Sequence, residues 1–499
     1  MNADVVVVGY GPSGGSLAYY LGREGLDVVV VDKRVGIWPL PRAGHVDDEI
    51  MRAWQGMGLA EELAPTLTEV PDYEYYRSDW SRYFTMPNSP GITDQGWPTH
   101  AFFNQPVFER ALRRRVAKMP NVHLLLGATL TGIEDDEAGV TATLEDAEST
   151  KVAIHAAYLA GFDGANSTTR RLLGIELEET GEPQSWLVVM VRLHDESVPE
   201  LPDRCFEWAG EERAVTYIAP LPDRIRLWEF RKLPGETNAE LEDPARVWQL
   251  LDPWVKPEHG DLVRADVYTF RSAVAAKWRR GRCFIGGDAA HQMPPKAGQG
   301  LCAGFRDAAN LGWKLAAALQ RGAPDTLLDT YESERRPNVE VYIGFSQILT
   351  DAIDAAAAGT LPAGFDPSAP LPLPPLGPGL HGKAPAPAGT RSRQPRLTDG
   401  QLLDDVVGYR FAVLGRPDVL DGVSAETRAI WRAIDCAVVS DEGADVCAWL
   451  NELRAGAVLI RPDRFLVDAA ADTTQLEHLT ARLAEALGVS HTPRTEVAA

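Results

Sequence analysis

Val5-Val6-Val7-Val8-Gly9-Tyr10-Gly11-Pro12-Ser13-Gly14, followed by Asp27-Val28-Val29-Val30-Val31-Asp32, is the stretch on which the fold turns. The two β-branched runs read as strands buried on both faces of a parallel sheet. Leu17, Tyr20 and Leu21 recur at helical spacing between them, and Gly25 marks the stop. The order is strand, glycine-rich turn, helix, strand. In that context GxGxxG has a physical meaning. Gly9 allows the tight turn, Gly11 lets backbone approach a pyrophosphate, and Gly14 allows close helix–sheet packing. Pro12 and Ser13 open a helix whose free N–H groups favour an anion. Asp32, ahead of Lys33, is placed to accept from ribose hydroxyls. A second match, Gly377 to Gly382, lies in a Pro-rich segment with no strand before it and is set aside.

Working outward, two more strand ends carry Gly and Asp. One is Gly161-Phe162-Asp163-Gly164, running into Ser167-Thr168-Thr169-Arg170. The other is Gly286-Gly287-Asp288-Ala289-Ala290-His291-Gln292-Met293-Pro294-Pro295, followed by Gly298-Gln299-Gly300-Leu301-Cys302. Each alone is an ordinary turn. If all three motifs end strands of one parallel sheet, they meet at one edge. The stretch from about 180 to 280 differs in texture. Trp186 to Val191, Val215 to Ile218 and Arg226 to Phe230 are strand-like and aromatic, so a sheet-rich insertion is expected there. Ten prolines between 362 and 395 mark a boundary, and a small α/β unit follows.

Composition narrows the function. The 499 residues hold 71 acidic and 49 basic side chains, a formal charge of −22, which disfavours nucleic acid and anionic membrane surfaces. Five cysteines without a CxxC make neither a disulfide framework nor a zinc site, and no metal is expected. Apolar runs fall short of the roughly 20 residues that span a bilayer. The N-terminal residues lack the pattern of a signal peptide. A cytoplasmic enzyme is the expectation.

Together these segments resemble the single-component flavoprotein aromatic hydroxylases of the para-hydroxybenzoate hydroxylase-like group. Arg42, in Leu40-Pro41-Arg42-Ala43, and Gln105, in Phe103-Asn104-Gln105-Pro106, match that family's pattern, as do Phe305 to Leu315 and Tyr331 to Pro337. Val46 to Arg52, Gly96-Trp97-Pro98, Pro234 to Thr237 and Arg461 to Phe465 are most similar to the 3-(3-hydroxyphenyl)propionate hydroxylase branch. Two positions depart from the family: Cys302 stands where Asn is common, and Asp32 where Glu is usual.

The resemblance implies an α/β fold: a discontinuous FAD-binding domain (1–180 and 280–360), a substrate-binding sheet domain (181–279), a Pro-rich connector (361–396), a thioredoxin-like domain (397–490) and a disordered tail (491–499). FAD would be held by Gly9, Gly11, Pro12, Ser13, Gly14, Asp32, Lys33, Arg42, Gln105, Asp163, Gly287, Asp288, Pro295, Gly298, Gly300, Leu301 and Cys302. The implied reaction consumes NADH or NADPH and O₂, and hydroxylates a phenol through a flavin C4a-hydroperoxide. A homodimer is the implied assembly. Pro295 is expected beside the reaction centre. His291 is weighed as a base against a structural hydrogen bond, and the latter is preferred; His45 and Asp48 are further pocket candidates. Trp186, Tyr217, Trp228 and Arg231 are weighed as substrate-lining residues against core packing, and core packing is preferred for each. Two alternatives stay open: tailoring of a polycyclic polyketide or antibiotic, and an FAD-binding scaffold without turnover.

Overall fold

The computed structural model describes residues 1–40, 42–88, 91–195, 201–358, 360, 365–367, 369 and 371–489. The expected tail, 491–499, and part of the Pro-rich connector lie outside them.

Asn2–Val8 is the centre of the main sheet. Val28–Asp32 and Lys151–Gly161 flank it in parallel, Val122–Leu126 follows Val28–Asp32, and Cys283–Ile285 follows Lys151–Gly161. Val5, Val6 and Val7 are at most 1% exposed, as a two-face-buried strand requires. The register pairs Val8 with both Val31 and Gly161, and Gly161 with Ile285. The three Gly/Asp motifs therefore leave adjacent strands at the same carboxyl edge. Thr129–Asp135 and Val140–Glu145 extend Lys151–Gly161 as an antiparallel meander. Helices Pro12–Arg23 and Gly300–Arg321 pack on each other beside the sheet.

The second sheet has seven strands, in the order Gly260–Phe270, Gln184–Leu193, Ile225–Arg231, Ala214–Leu221, Cys205–Ala209, Tyr73–Tyr76, Arg82–Met86. Its last two strands come from within residues 1–180, ahead of the expected insertion. One face packs Leu187, Val189, Val191, Tyr217 and Trp228 against Leu241, Val247 and Leu251 of two short helices. The alternate residues, including Val188, Met190, Ile225 and Leu227, pack with Phe102 on the other face.

Beyond Pro395 a four-stranded sheet runs Ala437–Ser440, Ala412–Gly415, Ala457–Ile460, Leu466–Ala470, parallel in the first pair and antiparallel after it. Helices Ala425–Ala433, Ala444–Glu452 and Thr473–Ala486 accompany it. This unit is fastened to the first by buried charge. Arg461 bonds Glu334 at 2.8 Å and Asp463 at 2.7 Å, Lys314 bonds Glu334 at 2.6 Å, and all four side chains are enclosed. Tyr409 stacks on Tyr20 at 4.5 Å and donates to the Ala309 carbonyl. The second GxGxxG is part of the same seam. The Leu380 amide donates to Glu334, and a Cβ on Gly377 or Gly379 would collide with Ser333 or Glu334 of helix Asp325–Ala358.

Candidate active site

The glycine turn after Asn2–Val8 is shaped by close contacts. Gly9 has φ +104°, and a Cβ there would collide with the Phe162 carbonyl; one on Gly14 would collide with the Gly9 carbonyl. Gly11 is different, because a Cβ there meets nothing within 4 Å. The packing of the protein does not require a glycine at Gly11, and the space beside it is open. Helix Pro12–Arg23 starts there with Gly11 at the N-cap and no side-chain cap, which leaves its first amides to an external acceptor. Ser13 borders Gly287, its Oγ lying 3.5 Å from where a Gly287 Cβ would be.

Asp32 is partly buried and shapes the loop, accepting from the amides of Tyr10 and Arg34 at 2.7 Å each. Lys33 is exposed beside it. Gln105 is buried; its Oε1 accepts from the amides of Arg42 and Ala43 at 3.0 and 2.9 Å, and its Nε2 donates to Glu109. Gln105 thus sets the Arg42 loop from below. The exposed Arg42 guanidinium lies 4.9 Å over Trp38 and has no ion-pair partner among the described residues.

The two Asp motifs diverge. Asp163 accepts from Ser167 Oγ, Thr169 N and Thr169 Oγ1, so its carboxylate caps the following helix. Asp288 is exposed at the strand end, and desolvation by the surrounding protein pushes its carboxyl above the usual range, with His291 and Arg42 opposing. Arg42 and Asp288 are the open charges of the site.

Pro295 is exposed and its carbonyl accepts from Gly298 N at 2.8 Å. Helix Gly300–Arg321 then begins without a side-chain cap, placing the amides of Gly300, Leu301 and Cys302 at its start. Cys302 is fully buried, its Sγ 3.8 Å from the Gly298 carbonyl. His45 Nδ1 lies 3.1 Å from that carbonyl and His45 Nε2 3.0 Å from His100 Nδ1. Burial holds both rings below the usual histidine range, His100 at about 3. Asp48 is tied to Arg391 and Thr93, away from this loop's contacts.

Of the two readings of His291, base and structural hydrogen bond, its surroundings favour the second. It is 1% exposed, its Nε2 sits 2.6 Å from Asp307 Oδ2, and its ring lies against Trp278. A base must reach the group it deprotonates, and this ring is enclosed. Tyr217 and Trp228 take core packing rather than a substrate-lining place. They lie on the helix-covered face of the second sheet, and Tyr217 donates to the Pro202 carbonyl. Trp186 and Arg231 share the opposite face, but Trp186 is 1% exposed and Arg231 is paired with Asp354.

The polar group on that face was not anticipated. Lys296, next to Pro295, sends Nζ between Glu229 (3.0 Å), Glu207 (3.2 Å) and Thr216 (2.5 Å), 4.2 Å over Trp186. Tyr73 and Thr216 also donate to Glu207. Burial raises the Glu207 pKa with Lys296 opposing; burial works against the Lys296 charge, yet the two carboxylates hold its pKa above the usual value. A signal existed in the sequence: Glu207 interrupts an otherwise aromatic and apolar strand, Glu229 stands between Trp228 and Phe230, and a buried carboxylate needs a cation. Tyr268, half exposed, completes the wall between the two halves; burial and the charges of Asp288 and Glu229 raise its phenol to about 12, with Arg42 opposing.

Residues 2–346 match the family described as "FAD binding domain". The chain belongs to the flavoprotein aromatic hydroxylases. It is an FAD-dependent aromatic monooxygenase that draws electrons from a nicotinamide. Over 97% of its length it is 33% identical to a Rhodococcus jostii (strain RHA1) protein named "Probable NADH-specific resorcinol 4-hydroxylase", of which 95% is covered. It is 34% identical to the 3-(3-hydroxy-phenyl)propionate/3-hydroxycinnamic acid hydroxylase of Mycobacterium sp. (strain JLS), covering 94% of this chain and 89% of that one. Among solved structures, aklavinone-11 hydroxylase with FAD and aklavinone has TM-score 0.80 at 25% identity, covering 97% of this chain and 99% of that one. The anhydrotetracycline hydroxylase OxyS of Streptomyces rimosus, at 24% identity and TM-score 0.76 over 99% of this chain and all of the other, shares the fold. Among the described residues no helix is long and apolar enough to cross a membrane.

Proposed function

We propose that this flavoprotein hydroxylates a small phenol with NADH and O₂, in the manner of the resorcinol and hydroxyphenylpropionate hydroxylases it resembles. The observation that carries this is the convergence of the Gly11 cradle, Asp288 and the Pro295–Cys302 loop on one edge, facing a mainly apolar sheet.

The empty space at Gly11, the uncapped helix start and the unpaired Arg42 fit a pyrophosphate; Asp288 fits the polyol chain that follows it. Asp32 supports the adenosine end. Gly298, Gly300, Leu301 and Cys302 would present amides to the ring end, where partial positive charge favours a reduced, anionic flavin. FAD, when bound, supplies hydride acceptance and oxygen activation. The protein's share is to bind, orient and exclude water. Gln105 fixes the Arg42 loop, and His45 fixes the loop at Gly298. Leu227, Met190, Val188 and Phe102 make the sheet face on this side apolar. The C-terminal unit, whose strand order suits a thioredoxin-like fold, has no cysteine pair for redox work and serves as structural support.

Purified FAD-loaded protein should couple NADH oxidation to a ring-hydroxylated product with resorcinol or 3-(3-hydroxyphenyl)propionate. Product from a bulky polycyclic phenol alone would replace this reading with polyketide tailoring. NADH-independent FAD binding without product from either phenol class would favour a scaffold.

A further inference from the structure

The cluster of Lys296, Glu207 and Glu229 contains three ionisable side chains on a sheet face that is otherwise mainly apolar and aromatic. They differ in what remains available. Glu207 is 1% exposed, its two oxygens engaged by Tyr73, Thr216 and Lys296. The Lys296 side chain is 2% exposed and has three acceptors around Nζ. Glu229, 11% exposed, gives Oε2 to Lys296, and no donor among the described residues engages Oε1. One carboxylate oxygen is thus held in place by a buried ammonium while the other is left for a ligand.

The register places Glu229 in the right part of the sheet. It pairs with Val188 on one side and Thr216 on the other, one step of the same face from Leu227 and Met190. Lys296 ties it to the loop that starts at Pro295. Tyr268, on the same face beside Trp186, feels the charges of both Asp288 and Glu229. The open oxygen therefore lies between the cofactor edge and the apolar sheet face.

We propose that Glu229, positioned by Lys296, accepts the hydrogen bond of the substrate's phenolic hydroxyl and takes its proton as the ring is hydroxylated. This rests on the phenol hydroxylase reading. The O–H bond breaks with its proton going to Glu229 Oε1, and its electron pair moves into the ring, enriching the carbon ortho to it. One atom of O₂ enters that carbon and the other leaves as water, with two electrons from NADH. The ring hydrogen lost on rearomatisation balances the proton that Glu229 returns to the product. Lys296 is a positioning residue: its ammonium holds Glu229 Oε2 in place before the substrate arrives.

The test is Glu229→Gln in the FAD-loaded enzyme with resorcinol, following NADH oxidation, hydroxylated product and peroxide separately. At pH 7 product formation should fall by about 10²-fold, the range of general-base loss, with electrons diverted to peroxide. Product should recover as pH approaches the phenol's own ionisation near 10, a rescue that a packing defect would not show. Glu229→Asp, which keeps the charge on a shorter arm, should retain part of the product yield and the wild-type pH profile. Binding gives an independent measure: replacing one resorcinol hydroxyl by methoxy should weaken binding to wild type more than to Glu229→Gln, read by flavin absorbance. A variant with wild-type product yield at pH 7 overturns the proposal while leaving phenol hydroxylation intact. A variant whose loss is equal at every pH, with unaltered ligand discrimination, also overturns it. Wild-type enzyme that hydroxylates no phenol removes the underlying reading and the proposal with it.

Discussion

His291 Nε2 and Asp307 Oδ2 stand 2.6 Å apart in a site closed to solvent, and the same carboxylate accepts from Gly287 N and Arg335 Nε at 2.9 Å each. One aspartate thus joins the strand-end motif, the helix Gly300–Arg321 and the helix Asp325–Ala358. Burial works against its charge, but His291 and Arg335 hold the Asp307 carboxyl below the usual range. The contribution is therefore present above about pH 4, the unfolded value, and is lost as pH falls toward the folded one.

Asp307→Asn should cost about 3–5 kcal/mol, because Arg335 is left buried without its counter-charge. His291→Phe should cost less, about 1–3 kcal/mol, and leave the pH profile of turnover unaltered. Denaturant unfolding and a kinetic pH series check both. A loss of turnover at unchanged stability in His291→Phe would restore it as a catalytic residue.

Gly11 and Gly14 should separate cofactor binding from folding. Gly14→Ala drives a methyl into the Gly9 carbonyl and should cost more than about 3 kcal/mol. Gly11→Ser meets no protein atom and puts a good N-cap on the helix, so apo stability should stay within about 0.5 kcal/mol. FAD content should nevertheless fall at least about tenfold, since the side chain enters the proposed pyrophosphate space. Thermal melts of apo protein and bound-flavin absorbance distinguish the two.

The His45–His100 pair makes FAD retention sensitive to acid. Burial keeps both rings neutral in the fold, with His100 at about 3, whereas an unfolded histidine titrates near 6.5. Between those values the unfolded chain binds more protons, so stability rises with pH and is lost on acidification below about 6.5. The loop at Gly298 should loosen with it. FAD release on acidification should be shallower in His100→Gln, measured by flavin fluorescence from pH 7 to 4.

Removing Arg461 should detach the C-terminal unit. Arg461→Met leaves Glu334 buried with only Lys314 as cation, at an expected cost of about 3–5 kcal/mol. Burial opposes the Glu334 charge, but Arg461 and Lys314 hold its carboxyl well below the usual range, so this fastening also weakens as pH falls below about 4. Protease cutting between 360 and 395 should become faster in Arg461→Met, while the FAD-binding unit keeps its flavin.

The parts of this molecule that could be read from sequence are those whose meaning is local. Val5 to Val8 and Gly9 to Gly14 state a buried strand and its turn within ten residues, and Asp163 and Asp288 announce strand ends. What each aspartate does was not local: Thr169 claims Asp163, whereas nothing comparable among the described residues claims Asp288. Strand alternation also showed that Tyr217 and Trp228 belong to a sheet face, but not which face meets the cofactor edge. That depends on the helices at 238–251 covering one side. Tyr73–Tyr76 and Arg82–Met86 pair locally with each other, but their place in the second sheet was hidden because Cys205–Ala209, the strand that Tyr73–Tyr76 joins, lies more than a hundred residues away. Lys296 was hidden likewise, its role being set by Glu207 and Glu229 on strands of another sheet.

The most direct test of the account is oxygen labelling. Turnover of resorcinol by FAD-loaded enzyme under ¹⁸O₂, with one equivalent of NADH, should yield product carrying one ¹⁸O atom, near-stoichiometric with NADH oxidised. Product oxygen drawn from water, or NADH oxidised to peroxide with none of the tested phenols hydroxylated, would contradict it.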